Sequence, residues 1–311
     1  MESQCLGLAE ALGIDPILKR VNLRQPWSML SPFVRVPPSC SYTRESGSLE
    51  PPWPDLLIAS GRQSVQASIF VHKQSRHAGQ PCVTVQIQNP VVSPRHFDLV
   101  ITPAHDQLRG PNVLTTLGAL HRVTPRKLAQ AAPDFLLRIG AQPRPYISVL
   151  IGGANGAFRF SAREMEELLQ ALIGAARACG GTLLITPSRR TGDAQIELLH
   201  KTLEGIPAFV WDGTGENPYF GMLAVADQVV VTADSVNMVS EAVATGKPVQ
   251  VFGLPGGSAK FSRFHAALRA KGLTTPFPGP PPRPVSGIAS DMERAVAGVR
   301  AAFRAVRGTS L

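Results

Sequence analysis

The sequence predicts an α/β protein: two doubly wound halves facing a cleft and joined by a short hinge. Three observations predict it. First, 311 residues and 33.2 kDa are about twice the usual domain size. Second, short apolar strands alternate with helices on both sides of the Pro-rich interruption Gln142-Pro143-Arg144-Pro145, a rhythm that specifies βαβ units on parallel sheets. Third, glycine- and hydroxyl-bearing loops follow several strands, and open α/β sheets take ligands at the carboxyl ends of their strands.

The elements follow in order. Residues 4–12 form a short helix that Gly13 ends. Prolines crowd residues 22–55 too densely for more than short regular pieces. Strands follow at 55–59, 83–88 and 98–102, with helices at 65–74 and 125–139. Beyond the interruption, strands fall at 146–151, 182–186, 208–211, 228–232 and 248–252. The helix after the first of these has Ser161 as N-cap and Glu164 at N3, a capping box. Its apolar positions Met165, Leu168, Leu169, Leu172, Ile173 and Ala176 share one face of a 3.6-residue period. Further helices are expected at 194–203, 218–226, 236–245 and 259–271. The expected domains are 1–142 and 143–287, with a final amphipathic helix at 288–311.

Composition narrows the classes. Hydrophobic residues at 44% and charged ones at 17% exclude a disordered chain. No apolar run reaches the roughly 18 residues of a spanning helix, and the start resembles no signal peptide, so a cytoplasmic protein is expected. A net charge of +9 attracts polyanions. Without a helix-turn-helix, zinc-finger spacing or basic-aromatic interleaving, nucleic acid is not the expected partner. Phosphorylated small molecules or peripheral contact with an anionic membrane are. Cys5, Cys40, Cys82 and Cys179 stand far apart, which is no metal or redox spacing. No cofactor or metal is expected.

Three strand ends carry the chemistry. In Gly152-Gly153-Ala154-Asn155-Gly156 the glycines allow close backbone approach to an anion, and the helix behind adds free amides and dipole. In Ser188-Arg189-Arg190 the guanidiniums can fork onto phosphate oxygens. In Asp234-Ser235-Val236-Asn237 the first turn of a helix can meet phosphate, with Asp234 or Ser235 as its cap. Ser240 and Glu241 lie farther along, where Glu241 can accept hydrogen bonds from a ribose diol. In the first half Gly61, Arg62, Asn89 and Asn112 follow strands and are assigned to the acceptor side. His105-Asp106 is the local imidazole-carboxylate pair and the candidate general base. His72, His77, His121 and His265 read as surface or packing residues.

Together GGANGAFRFS, TPSRRT, GENPYFGMLAVADQVVVTADSVNMVSEAVATGKPV and RGPNVLTTLGALHRVT resemble the family named for the plant "elongated mitochondria" fission protein, over residues 1 to about 270. The resemblance implies two Rossmann-like domains of the glycosyltransferase B type, with TADSVNMVSEA as the donor-nucleotide site and Glu241 on the ribose. It implies a metal-independent enzyme that transfers sugar from a nucleotide-diphospho-sugar to an unknown acceptor. Plant members are described as recruiting a dynamin-related protein, so a non-catalytic adaptor is the alternative. A nucleotide-sugar epimerase is a third reading. The Ala/Arg/Pro-rich composition fits a bacterial member. The resemblance implies an opening apolar strand and glycine loop; here Met1 stands four residues before Cys5-Leu6-Gly7-Leu8, so either the start was assigned late, the favoured reading, or the first domain lacks that strand.

Overall fold

The computed structural model describes residues 2–33, 38–284 and 291–311. The chain divides into two compact units: Met1–Arg122 together with Ala289–Leu311, and Val123–Ile288.

The first unit opens with α1 (Glu2–Leu12), followed by two short helices, α2 (Trp27–Leu30) and α3 (Pro38–Ser41). Its sheet holds β1 (Leu56–Ser60), β2 (Val83–Ile87), β3 (Leu99–Pro103) and β4 (Val113–Thr116) in that spatial order, all parallel. The helix α4 (Val65–His77) makes the β1-to-β2 crossover. Both β2 and β3 are buried along their full length, as apolar runs in a parallel sheet must be. The final helix is the last piece of this unit; it packs Ala295 and Val299 against Leu8, Val85, Leu99 and Ile101, and its Phe303 is buried as well. It is therefore a layer of the first core and no appendage. Its expected start at Ile288 lies outside the described residues.

The second unit begins earlier than the expected boundary at 143. The helix α5 (Pro125–Ile139) is capped by Thr124, whose hydroxyl oxygen accepts the Lys127 amide at 3.2 Å. It packs through Phe135 and Ile139 onto Tyr146, Leu184, Met222 and Val225 of the second unit. The apolar face of α5 decides this membership, whereas the sequence reading followed the Pro-rich break after it.

The elements that follow are β5 (Tyr146–Ile151), α6 (Ala162–Cys179), β6 (Thr182–Pro187), α7 (Asp193–Thr202), β7 (Ala208–Val210) and α8 (Tyr219–Val225). Then come β8 (Gln228–Thr232), α9 (Val236–Val243), β9 (Val249–Phe252), α10 (Ala259–Ala270) and β10 (Thr275–Phe277), with α11 (Asp291–Arg307) completing the first unit. The strand order is β10-β9-β8-β5-β6-β7, all parallel. Numbered within the unit this is 3-2-1-4-5-6 read backwards, the dinucleotide-binding order of doubly wound sheets. The capping box of α6 is present, with the Ser161 amide donating to Glu164 Oε2 at 2.7 Å. All six apolar positions expected on its inner face are buried.

Candidate functional site

Strand order alone locates the place to look. The order in which strands are added reverses between the parallel neighbours β5 and β8, so the loops at their carboxyl ends lead to opposite sides and leave the crevice typical of this topology. The residues there are Gly152 and Gly153 after β5, and Ala233, Asp234 and Ser235 after β8.

The two stretches meet, but the glycine turn holds no open cradle. The Asp234 side chain is fully buried. Its Oδ2 accepts the Gly153 amide at 3.1 Å and pairs with Arg190 Nη2 at 2.8 Å, while Oδ1 accepts the Thr232 hydroxyl at 2.6 Å. The Gly152 amide donates to Thr232 Oγ1 at 2.8 Å, and Asn155 Nδ2 donates to the Asp234 carbonyl at 3.2 Å. The glycines do allow close approach of an anion, as the sequence implied, but the anion is the chain's own carboxylate. A Cβ on Gly152 would fall on the Asp234 carboxylate, and one on Gly153 on the Arg190 carbonyl. Gly152, Gly153 and Asn155 are thus staples between two strand ends; the expectation that they face a diphosphate directly is not what their amides do.

The loop after β6 closes the same network. Ser188 Oγ donates to the Gly152 carbonyl at 2.8 Å, as does Thr191 Oγ1 at 2.6 Å. Arg190 also donates to the Gly153 carbonyl at 3.2 Å, and its side chain remains 41% exposed. Sequence reasoning placed the weight on Arg189. That residue is exposed and makes no hydrogen bond or ion pair among the described residues, while its neighbour makes the ion pair. The antiparallel bridge Phe158↔Gly256 and the bond from Gly257 N to the Ala157 carbonyl, 2.7 Å, tie the β5 loop to the loop after β9.

The helix α9 carries the remaining candidates. Ser235 is its N-cap and its hydroxyl accepts the Met238 amide at 3.3 Å, while Asn237 lies in the first turn. Ser240 is buried and donates to the Val236 carbonyl at 2.7 Å, which makes it a packing residue of the helix. Glu241 Oε2 accepts the Tyr219 hydroxyl at 2.6 Å. Burial raises the Glu241 carboxyl above its ordinary pKa, opposed by the hydrogen bond from Tyr219. Burial, with the Glu241 charge beside it, pushes the Tyr219 phenol well up. A carboxylate this reluctant to ionise gains from donors such as ribose hydroxyls.

Two residues outside the named candidates bear on the site. His265 of α10 was assigned to surface or packing. It is buried, and its Nε2 makes a 2.9 Å hydrogen bond to the carbonyl of Ala233, directly before Asp234. Only a protonated Nε2 can donate there, which leaves Nδ1 as a lone pair with no partner among the described residues. Burial holds the imidazole below its usual pKa. Tyr219 carried no sequence signal beyond its place before an apolar helix.

The first unit disperses its candidates. His105 and Asp106 sit on a 3-10 turn after β3 with side chains 3% and 4% exposed, and their nearest nitrogen and oxygen are 3.9 Å apart. Asp106 Oδ2 instead accepts the Thr102 hydroxyl at 2.8 Å. The turn rolls both side chains inward, so no open imidazole is offered to a substrate. Gly61 has φ 91° at the end of β1, which only glycine adopts readily. Arg62 is clamped to the carbonyls of Met29 and Ser31. The Asn89 side chain accepts the Val91 amide at 2.8 Å, and Asn112 Nδ2 donates to the Pro94 and Phe97 carbonyls, both at 2.8 Å. Asn89 braces its own loop, while Arg62 and Asn112 tie theirs to distant segments of the first unit.

Among the described residues no three His, Cys, Asp or Glu side chains come together as a metal site, and no helix is long and apolar enough to cross a membrane. The curated Mitochondrial fission protein ELM1 of Arabidopsis thaliana is 33% identical over 250 residues, covering 73% of this chain and 58% of that protein. The chain spans less than two thirds of the length of the curated relatives it matches. Among solved structures, UDP-GlcNAc 2-epimerase from Methanocaldococcus jannaschii is similar at a TM-score of 0.48 and 10% identity, covering 78% of this chain and 69% of that one. The Escherichia coli ADP-heptose LPS heptosyltransferase II is similar at 0.41 and 15% identity, covering 81% and 77%. The family Mitochondrial fission ELM1 matches residues 1–303, and the chain belongs to that family.

Proposed function

We propose that the second unit binds a nucleotide-diphospho-sugar at the carboxyl ends of β5 and β8, and that the protein transfers the sugar to an acceptor. The observation that carries this reading is the anion already bound there: a carboxylate held between a glycine amide and Arg190 at the switch point of a dinucleotide-type sheet. Asp234 is part of the wall. The diphosphate takes Arg189, the exposed part of Arg190, and the first turn of α9 at Ser235 and Asn237. Glu241 accepts the ribose hydroxyls, exchanging or sharing the Tyr219 bond. Arginines and amide dipoles then stabilise the departing diphosphate without a metal. Structures of a UDP-GlcNAc 2-epimerase with UDP-GlcNAc and UDP name the ligand class to try first.

Calorimetry with UDP-, GDP-, ADP- and CMP-sugars tests the proposal. One of them binds, and Arg189→Ala weakens it about tenfold, as loss of a charged hydrogen bond requires. Silence with all four refutes the reading. A second reading is favoured by one fact: the glycine amides are already occupied by the chain itself. In that reading the fold is a non-catalytic adaptor. The double substitution Arg189→Ala with Glu241→Ala then leaves partner binding and cellular function intact, whereas an enzyme loses function without unfolding.

A further inference from the structure

The first unit presents a different kind of surface. No acidic residue stands between Asp15 and Glu45, while Lys19, Arg20, Arg24 and Arg44 lie in that stretch. It also contributes Ile17, Leu18, Met29, Leu30 and Phe33 to the surface, exposed by 89, 52, 73, 43 and 67%. Large apolar side chains exposed in such number mark an interaction face.

This exposure is built in. Beneath the side chains the backbone is bolted down: Arg62 donates to the Met29 and Ser31 carbonyls, and Gln66 Nε2 donates to that of Pro32. The Ser31 hydroxyl returns a bond to the Arg62 carbonyl at 3.3 Å, and the turn closes with Ser31 N on the Trp27 carbonyl, 2.8 Å, and Phe33 N on that of Leu30, 3.0 Å. Ser31 and Pro32 are buried while Met29, Leu30 and Phe33 point away. The chain enters this turn through a ribbon, with Arg24 N on the Ser41 carbonyl and Thr43 N on that of Asn22, both 2.9 Å. Along it Arg24 and Arg44 are exposed, and neither has a carboxylate partner among the described residues. Lys19 reaches the Ser48 carbonyl, and Arg20 pairs with exposed Glu2.

We propose that this face docks on an anionic phospholipid bilayer. Met29, Leu30 and Phe33 enter the boundary between headgroups and acyl chains, and Arg24 and Arg44 pair with lipid phosphates. Charge complementarity selects the occupant. Rigidly presented apolar side chains beside unpaired cations, on a strip free of carboxylates, satisfy both contributions to interfacial binding. The overall charge of +9 acts in the same direction.

Co-sedimentation of the full chain with phosphatidylcholine vesicles, with and without phosphatidylglycerol, is the test. The chain binds the anionic vesicles and leaves the neutral ones. The triple substitution Met29→Ser, Leu30→Ser and Phe33→Ser weakens binding about tenfold or more; so does Arg24→Gln with Arg44→Gln. Should the triple variant misfold, Phe33→Trp serves instead, with an emission blue shift on anionic vesicles. Failure to bind them, unchanged binding by the triple variant, or an unshifted Phe33→Trp spectrum overturns the proposal. So does a self-associated chain that the triple substitution makes monomeric, because the face then binds protein.

Discussion

Replacing Asp234 with asparagine removes one charge and almost no volume from the centre of the second unit. The carboxylate receives three donors: the Thr232 hydroxyl at 2.6 Å, Arg190 at 2.8 Å and the Gly153 amide at 3.1 Å. Asparagine offers a single carbonyl oxygen, so it serves Thr232 or the Gly153–Arg190 pair. Its amide nitrogen then confronts a donor on the other side. A hydrogen bond to a charged group contributes about 1.5–3 kcal/mol, and a stranded buried donor costs about 1–3. Arg190 is 41% exposed, so water recovers much of its share. The net loss is about 2–4 kcal/mol, most of it from the Gly153 side.

In a unit of this size such a loss lowers the melting midpoint by roughly 5–15 °C. Differential scanning calorimetry is the assay, because two units can melt separately and the first should be unmoved. The same substitution frees the Gly153 amide and Arg190 for another anion. Inorganic phosphate should therefore raise the midpoint of Asp234→Asn more than that of the unsubstituted chain, by mass action on the folded state. A midpoint lowered by less than about 1 °C would show that the buried carboxylate does not staple the two strand ends.

Gly153→Ala drives a methyl into the Arg190 carbonyl and should cost about 1–3 kcal/mol or more in urea unfolding, against nearly nothing for Gly156→Ala, whose Cβ meets open space. The pH dependence of stability should carry the mark of His265. Its folded pKa lies below the usual 6.5 through burial, so the unfolded chain binds the proton first, and stability is lost as pH falls below about 6.5, by up to 1.4 kcal/mol per pH unit. His265→Gln keeps a donor for Ala233 and should flatten that slope in urea titrations; an unchanged slope counts against the assignment. Burial raises the Cys82 thiol to about 12 and Cys5 to about 11. In the native protein both should resist iodoacetamide while exposed Cys40 and Cys179 are alkylated, read by peptide mass spectrometry.

Periodicity and strand-end glycines made the architecture legible. The face of α6 was readable to the residue, because Met165 through Ala176 obey one period and a capping box fixes the start. Two short strands were not, although β7 and β9, of three and four residues, were. In β4 two threonines follow Val113 and Leu114 and break the apolar run, and Pro276 sits inside β10. They join the sheets because neighbouring strands pair with them. The membership of α5 was hidden for a related reason: a helix displays which face is apolar, while the partner of that face is a tertiary fact.

The site was legible as a place and misread as a mechanism. Glycines after β5, arginines after β6 and a capped helix after β8 were each visible, and they do converge. Asp234 was seen only as a possible cap, because an acidic residue before a helix has that local use. Its actual partners, Gly153 and Arg190, lie 81 residues away for the former and on a third strand end for the latter. Local spacing encodes what an amide turn can bind; it does not encode which anion arrives. In this fold the chain supplies the anion itself, and that makes Arg190 the residue on which the two functional readings part. In a nucleotide-sugar enzyme its exposed part must still recruit phosphate, so Arg190→Lys, which keeps the charge but loses the fork, should weaken ligand binding more than it weakens the fold. In an adaptor the same substitution should touch stability alone.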